Sequence, residues 1–385
     1  MSVASTVLKP SLSIRQPWGL ALQNLVQDRL RLALSVVGVA LPVMLILFML
    51  GLRAGVFRSS VIYLDHTPGA VAVMPPGVKS TSAGSGQFLS RDTVQAVAET
   101  RGVGRVSPVL LVMAIPELHG RKEIIKLVGY ETALGGGPWD LVRGREPAAD
   151  DEVVVDRVLA NRHDFKVGDS FEIGGHRLKV VGLSNETSSW TGSFVFARKA
   201  FVESLALAPP GAATFVLVTP TSGTKVADLV ATLQRVPGAN VLLKSRVMAN
   251  DQQIVAGIFD QVILLMVAAA FIVGTLVIGM VIYTATIERR GEYGILKAIG
   301  ARNGVLYRVV ASQALAAAGL GALLGVGFAF GMGWLVMTAR PQFLVAIEPS
   351  AIIATLAAGL VMALAGALVP ARAVAGLAPA DVFRR

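Results

Sequence analysis

Apolar residues run without a charged side chain from Leu32 to Leu52, from Gln261 to Ile287, from Val309 to Ala339 and from Pro349 to Ala371. Each run reaches the roughly 20 residues that cross a hydrocarbon core. The pattern predicts four transmembrane helices, one before and three after a long polar stretch, with the spans placed at 32–54, 259–286, 305–338 and 349–371. The second and third exceed what a bilayer needs. Tilt accommodates surplus length, and so does a helix that continues out of the membrane as a stalk.

The polar stretch, 55–258, alternates helical and strand-like periods. Ser90 stands before Asp92 to Ala98 as a helix cap, and Gly102 to Val112 reads as turn and strand. The same order returns as a helical pattern over Val226 to Arg235, a Pro237-Gly238 turn and a strand at Asn240 to Lys244. Two such units flanking an insertion predict a divided α+β domain with a β-rich lobe, about 125–200, inside it. In the lobe Val153-Val154-Val155 reads as a strand and Gly168-Asp169 as a turn. Gly174-Gly175 reads as a two-residue hairpin turn between Phe171, Ile173 and the returning Leu178, Val180 and Leu183. Pro75 to Gln87, rich in Gly and Ser, is expected to be a disordered loop.

Near the start, Trp18, Leu22, Leu25, Val26 and Leu30 recur close to helical spacing, with Gln23, Gln27, Asp28, Arg29 and Arg31 opposite. Segment 1–31 is therefore expected to carry an amphipathic helix on the membrane face, or a helical extension of the first span.

Composition and charge narrow the reading. A chain that is 54% hydrophobic, with mean hydropathy +0.63, is too apolar for a water-soluble protein. Its basic residues are unevenly placed. Lys9, Arg15, Arg29 and Arg31 precede the first span, and Arg289, Arg290, Lys297, Arg302 and Arg308 follow the second. Arg372, Arg384 and Arg385 follow the fourth, whereas the loop 339–348 holds only Arg340. Cytoplasmic loops retain Lys and Arg. Both termini, the segment 287–304 and the tail 372–385 are thus expected in the cytoplasm, with 55–258 outside it. Topology then accounts for the net charge of +10, and no basic stripe interleaved with aromatics supports nucleic-acid binding. With no cysteine, the outer domain stands on its core without disulfides.

Several chemistries lack their residues. The four runs hold no Asp, Glu, Lys, Arg or His, the groups that proton relays and polar pathways require in a membrane. No G-x-x-x-x-G-K-(S/T) loop is present, and Ala83-Gly84-Ser85-Gly86 has no lysine to complete one. His66, His119, His163 and His176 lack metal-ligand spacing, and no G-x-S-x-G elbow occurs. No catalytic, cofactor-binding or metal-binding residue is expected.

Two further patterns point to contacts. In the third span Gly321, Gly325, Ala329 and Gly333 recur at every fourth position, a face along which another helix can approach closely. The ladder Gly359, Ala363, Ala367 and Ala371 of the fourth span is a natural partner, within one chain or between two copies. In the loop after the second span, Ile295, Ala298 and Ile299 form an apolar strip while Glu288, Arg289, Arg290, Glu292 and Lys297 stay wet. Gly300 is placed to end that helix and Asn303 to cap the next. A plain topological loop needs only Arg289 and Arg290. Both charge signs beside an apolar strip predict a surface that touches another protein.

The run Glu288-Arg289-Arg290-Gly291-Glu292-Tyr293-Gly294-Ile295-Leu296-Lys297-Ala298-Ile299-Gly300-Ala301 resembles the signature of the FtsX-like or MacB-like permeases of ATP-binding-cassette (ABC) systems. Pro370-Ala371-Arg372-Ala373, continuing to Pro379-Ala380-Asp381-Val382-Phe383, resembles the family's ending, and Ala21-Leu22-Gln23-Asn24-Leu25 its entry segment. The order from Gly144-Arg145-Glu146-Pro147 to Gly182 resembles the extracytoplasmic core of MacB-like permeases. The resemblance implies four membrane helices in a one-plus-three order with a large α+β extracytoplasmic domain. It implies a permease of the inner membrane with no ATPase site of its own. Glu288, Arg289, Arg290, Glu292, Ile295, Lys297, Ala298, Ile299 and Gly300 would dock on a separate ABC ATPase subunit, which binds ATP and Mg. A second copy of the chain would complete a homodimer. Hydrolysis would move the outer domain mechanically and drive export or extraction of a lipid, a lipid-linked molecule or a periplasmic substrate. Length and ending are most similar to the DevC-type branch, which implies a periplasmic adaptor, or membrane-fusion protein, as a further partner. The alternatives are an FtsX-like transmitter that activates a cell-wall hydrolase, and a membrane-anchored enzyme or receptor acting alone.

Overall fold

The computed structural model describes residues 29–82 and 86–376. The pattern from Trp18 to Asp28 and the ending Pro379 to Phe383 lie outside the described residues. Helix α1 (Arg29–Ser60) leads into the short α2 (Ile62–His66). The chain then forms β1 (Val71–Met74), α3 (Arg91–Ala98), β2 (Val103–Ala114), β3 (Glu117–Leu118), β4 (Arg121–Lys122) and β5 (Ile125–Tyr130). Next come β6 (Leu141–Gly144), β7 (Glu152–Asp156), α4 (Arg157–His163), β8 (Ser170–Ile173), β9 (His176–Ser184) and β10 (Ser188–Ser189). After them lie β11 (Gly192–Arg198), α5 (Lys199–Leu205), β12 (Phe215–Pro220), α6 (Val226–Leu233) and β13 (Asn240–Leu243). Four helices follow: α7 (Lys244–Glu288), α8 (Arg290–Ala298), α9 (Asn303–Ala339) and α10 (Pro349–Ala375). Among the described residues α1, α7, α9 and α10 are long and apolar enough to cross a membrane, in the one-plus-three order that the apolar runs predict.

The chain divides into two compact units. One carries the strands, holds Leu52–Val262 and Trp334–Ala346, and is called the outer unit for the placement that the basic residues predict. Its sheet runs β13-β1-β12-β2-β5-β11-β7-β9-β6, with β10 beside β11 and β8 beside β9. Strand β2 serves both halves, because its first part pairs with β12 up to Val109 and its second part with β5 from Leu110. In one half α3 and α6 lay Val97, Leu229 and Leu233 against Val71, Val73 and Val241. The two helix-turn-strand units therefore share a single core. In the other half Leu127, Val153, Val155, Leu178, Val180 and Val195 close a second core. Each such side chain contributes about 1.5–3 kcal/mol on full burial. The period of two is visible in β5, which sends Leu127 to that core and Val128 and Tyr130 to an aromatic cluster with Tyr63, Phe194, Phe196 and Phe215.

Local signals carry through. The Ser90 hydroxyl accepts from the Thr93 amide at 3.1 Å, capping α3. Gly174 and Gly175, at φ 58° and 81°, turn β8 into β9 with Ile173 opposite His176.

The Gly- and Ser-rich stretch departs from expectation. Up to Ser82 it is pinned rather than disordered. The Thr81 hydroxyl donates to the fully buried Asp251 at 2.6 Å, as does the Ser80 hydroxyl, and the Ser82 amide joins them at 3.0 Å. Asn240 and Asn250 hold the carbonyls of Val78 and Lys79. Composition reads such a segment as loose because its partners lie some 170 positions away on another element.

In the membrane unit the pairing within the chain differs from the one expected. The glycine face of α9 meets α1, not the small-residue ladder of α10. A methyl group on Gly321 would lie 2.5 Å from Val39 Cβ and 2.8 Å from the Val36 carbonyl oxygen. On Gly325 it would lie 2.7 Å from the Ala40 oxygen and 2.8 Å from Val43 Cβ. Helix α10 instead approaches α7, where Gly366 faces the backbone of Gly279 and Thr275. The pairing has a volume logic. β-branched Val36, Val39 and Val43 on α1 supply ridges that a glycine groove accepts, whereas the small residues Gly366 and Gly279 let the backbones of α10 and α7 approach each other directly.

Candidate coupling site

Helix α8 is short and amphipathic, and its buried side is narrow. Tyr293 packs on Leu306 and Val309 at the start of α9, and burial pushes its phenol pKa up. The opposite side is apolar and open. Ile299 is 77% exposed, Ile295 53% and Leu296 39%, with Ala298 and Glu292 also exposed. Leu296 widens the strip that Ile295, Ala298 and Ile299 define in sequence.

The charged residues divide. Glu288, Arg290 and Glu292 are exposed, as expected. Arg289 and Lys297 are not fully wet. The Arg289 side chain is 17% exposed and lies 3.6 Å from Glu292, three residues on, while Lys297 Nζ donates to the Ala375 carbonyl of α10 at 2.6 Å. Lys297 thereby satisfies a carbonyl at a helix C-terminus, where a cation is favoured.

The end of α8 is built by Gly300. Its φ of 96° is left-handed, its amide donates to the Lys297 carbonyl at 3.0 Å, and the Ala301 amide donates to Leu296 at 3.0 Å. These two bonds form a Schellman motif. Asn303 does not cap the next helix from outside. It is the first residue of α9, and the Arg302 carbonyl ahead of it accepts from Val305 at 2.9 Å.

At its other end α7 begins where β13 stops. The Lys244 amide donates to Ala70 and its Nζ to the Thr67 carbonyl, both at 2.9 Å. The 45 residues from there to Glu288 form one helix, about 68 Å long at 1.5 Å per residue. Outside the apolar run, Asp260 on α7 takes both Nε and Nη2 of Arg53 on α1, at 2.7 and 2.9 Å. Sequence reasoning missed this pair. Its signal was that each residue is the first charge met on leaving an apolar run. Gly55, about half a turn further along α1, touches the Leu344 backbone of the loop between α9 and α10 and leaves no room for a side chain.

Of the small residues named for α9, Gly321, Gly325, Ala329 and Gly333 are all buried. No group of three or more metal-ligating side chains converges among the described residues.

Residues 32–236 match the MacB-like periplasmic core domain, and residues 263–379 match the FtsX-like permease C-terminal region. An ABC transporter permease of Mycobacterium tuberculosis (strain H37Rv) is 27% identical over 367 residues, covering 94% of this chain and 98% of the relative. A permease protein assigned by name to a hemin transport system, HrtB of Staphylococcus haemolyticus, is 22% identical over 293 residues, covering 73% of this chain and 75% of the relative. The crystal structure of the periplasmic region of MacB from Actinobacillus actinomycetemcomitans aligns with a TM-score of 0.39 and 10% identity, over 49% of this chain and 94% of that one. With both halves accounted for, the chain belongs to the MacB-like and FtsX-like family of ABC transporter permeases.

Proposed function

We propose that this chain is the membrane permease of an exporter powered by a separate ABC ATPase, which docks on α8. The observation that carries the reading is the exposed strip of Ile295, Leu296 and Ile299 beside Glu292, on a helix fixed at one end by Tyr293 and at the other by Gly300. An apolar strip of this kind on a rigid mount favours a partner groove over bulk water. In this reading α8 and both termini face the cytoplasm, where the basic residues concentrate, and the outer unit lies beyond the membrane. Closure of two ATPase subunits would move α8. Helix α7, continuous from α8 to β13, would carry that movement outward in a homodimer and act on a lipid, a lipid-linked molecule or a periplasmic substrate. The breadth of the outer unit, with three hydrophobic clusters, favours an exporter over a transmitter that needs only a docking loop.

The test is reconstitution of the full chain with its ATPase subunit. Reversing the charge in Glu292→Lys is expected to lower permease-stimulated ATP hydrolysis at least about tenfold, the loss of one charged contact, with membrane insertion unchanged. Hydrolysis stimulated as in the unaltered chain would remove α8 from the mechanism.

A further inference from the structure

The outer unit contains a cavity of about 180 Å³ lined by residues of α1, α2, β2, β5, β11 and α7. Leu111, Trp190, Phe194, Ile254 and Ile258 make most of its wall apolar, and Thr81 and Ser82 add a polar side. Lys126 is the single charged residue among its lining residues.

The position of this lysine is unusual. It lies on β5 on the same face as Val128 and Tyr130, which belong to a hydrophobic core. The register of β5 with β11 sets it beside Phe194, whose ring centroid is 5.3 Å from Nζ. Among the described residues no oxygen accepts a hydrogen bond from that ammonium and no carboxylate reaches ion-pair distance. Asp251 acts on it through space, but the Asp251 carboxylate already takes the Ser80 and Thr81 hydroxyls and the Ser82 amide. Burial pulls the lysine down to about 8, with Asp251 opposing. An ammonium with unused donors among apolar walls weakens folding. An oxyanion in the cavity would complete it, and the walls would accept an alkyl chain.

Location and size fit the same class. Ser60 lies two helical turns, about 10 Å, beyond Arg53 on α1, and Ile258 half a turn from Asp260 on α7, so the cavity is close along both helices to the Arg53–Asp260 pair, the first charges beyond the apolar runs. It is smaller than the pockets of about 300–1,000 Å³ that take drug-sized ligands. A headgroup with the first part of a chain is the appropriate size.

We infer that this cavity binds a singly charged amphiphile, its carboxylate or phosphate on Lys126 and its chain along Trp190, Ile254 and Ile258. An outer-leaflet lipid and a dissolved fatty acid offer the same chemistry. The inference goes beyond the coupling role of α8 and does not depend on it.

The full chain in phosphatidylcholine nanodiscs provides the test, read by Trp190 fluorescence. One arm adds ω-bromododecanoic acid to the buffer, and the other builds a brominated phosphatidic acid into the disc. Saturable quenching is expected in one arm or both, absent in Trp190→Phe, and the arm that quenches identifies the source. Lys126→Met should raise the half-saturating concentration at least about tenfold, as loss of a charged hydrogen bond does, and Lys126→Arg should restore much of the binding. Ile258→Phe, which keeps the lysine and fills the cavity, should abolish saturation, so the test does not hang on a lysine variant that folds poorly. No saturable quenching in either arm, equal quenching by ω-bromododecanol, or unchanged binding by folded Lys126→Met would overturn the site.

Discussion

Glu152 opens β7, and its ionisation is tied to the fold of the outer unit. Its carboxylate accepts two N–H groups of Arg145 at 2.6 and 2.5 Å and the amides of Ala148 and Ala149 at 2.8 and 3.2 Å. The Arg145 hydrogen bonds hold its pKa down to about 2, from an ordinary 4.5. A depressed carboxyl stabilises the fold fully above its unfolded pKa and loses that contribution as pH falls through the folded one, here from about 4.5 to about 2. Protease resistance of the outer unit should therefore decline across that window. Glu152→Gln should be less resistant at neutral pH and should change little further on acidification. A wild-type chain equally resistant at both ends of the window would show that the Arg145 contact does not stabilise the fold.

Helix pairing in the membrane unit makes a sharper distinction than composition does. Gly325 has the Ala40 carbonyl 2.7 Å from where its Cβ would sit, while Gly327, two residues on, has open space. Gly325→Val should destabilise the unit by about 1–3 kcal/mol, the usual range for overpacking. Gly327→Val should be near neutral, and thermal melting of the two variants side by side is the measurement. The sequence shows that α9 has a glycine face but not which helix fills it, because Gly and Ala spacing marks every close approach alike. The same limit recurs elsewhere. The hairpin at Gly174-Gly175, the cap at Ser90 and the end of α8 at Gly300 follow from residues within a few positions of one another, and all were readable. Strand β2 was itself readable, but its division between β12 and β5, the parallel pairing of β5 with β11 and the anchoring of Ser80 to Ser82 on Asp251 depend on partners far away in sequence. For the candidate site, Ile295, Ile299 and Gly300 were legible from period and turn chemistry. The lodging of Lys297 on Ala375 was not, because nothing local to Lys297 marks a carbonyl on α10 as its acceptor.

At the scale of the whole molecule, one continuous element stands out. Helix α7 has no proline and no break between β13 and α8 over its 45 residues. A polypeptide rod transmits a push only while it resists bending. Leu264 and Leu265, 69% and 71% exposed, offer a place to soften it without touching a packed face. Replacing both with glycine should cost about 1 kcal/mol each in helix stability, an amount that leaves the helix formed. If α7 is the lever of the proposed exporter, the doubly substituted protein would behave like an engine with a slipping clutch. ATP turnover would continue at the inner end while work at the outer end ceased, and paired measurements of hydrolysis and substrate release would separate fuel burned from load moved.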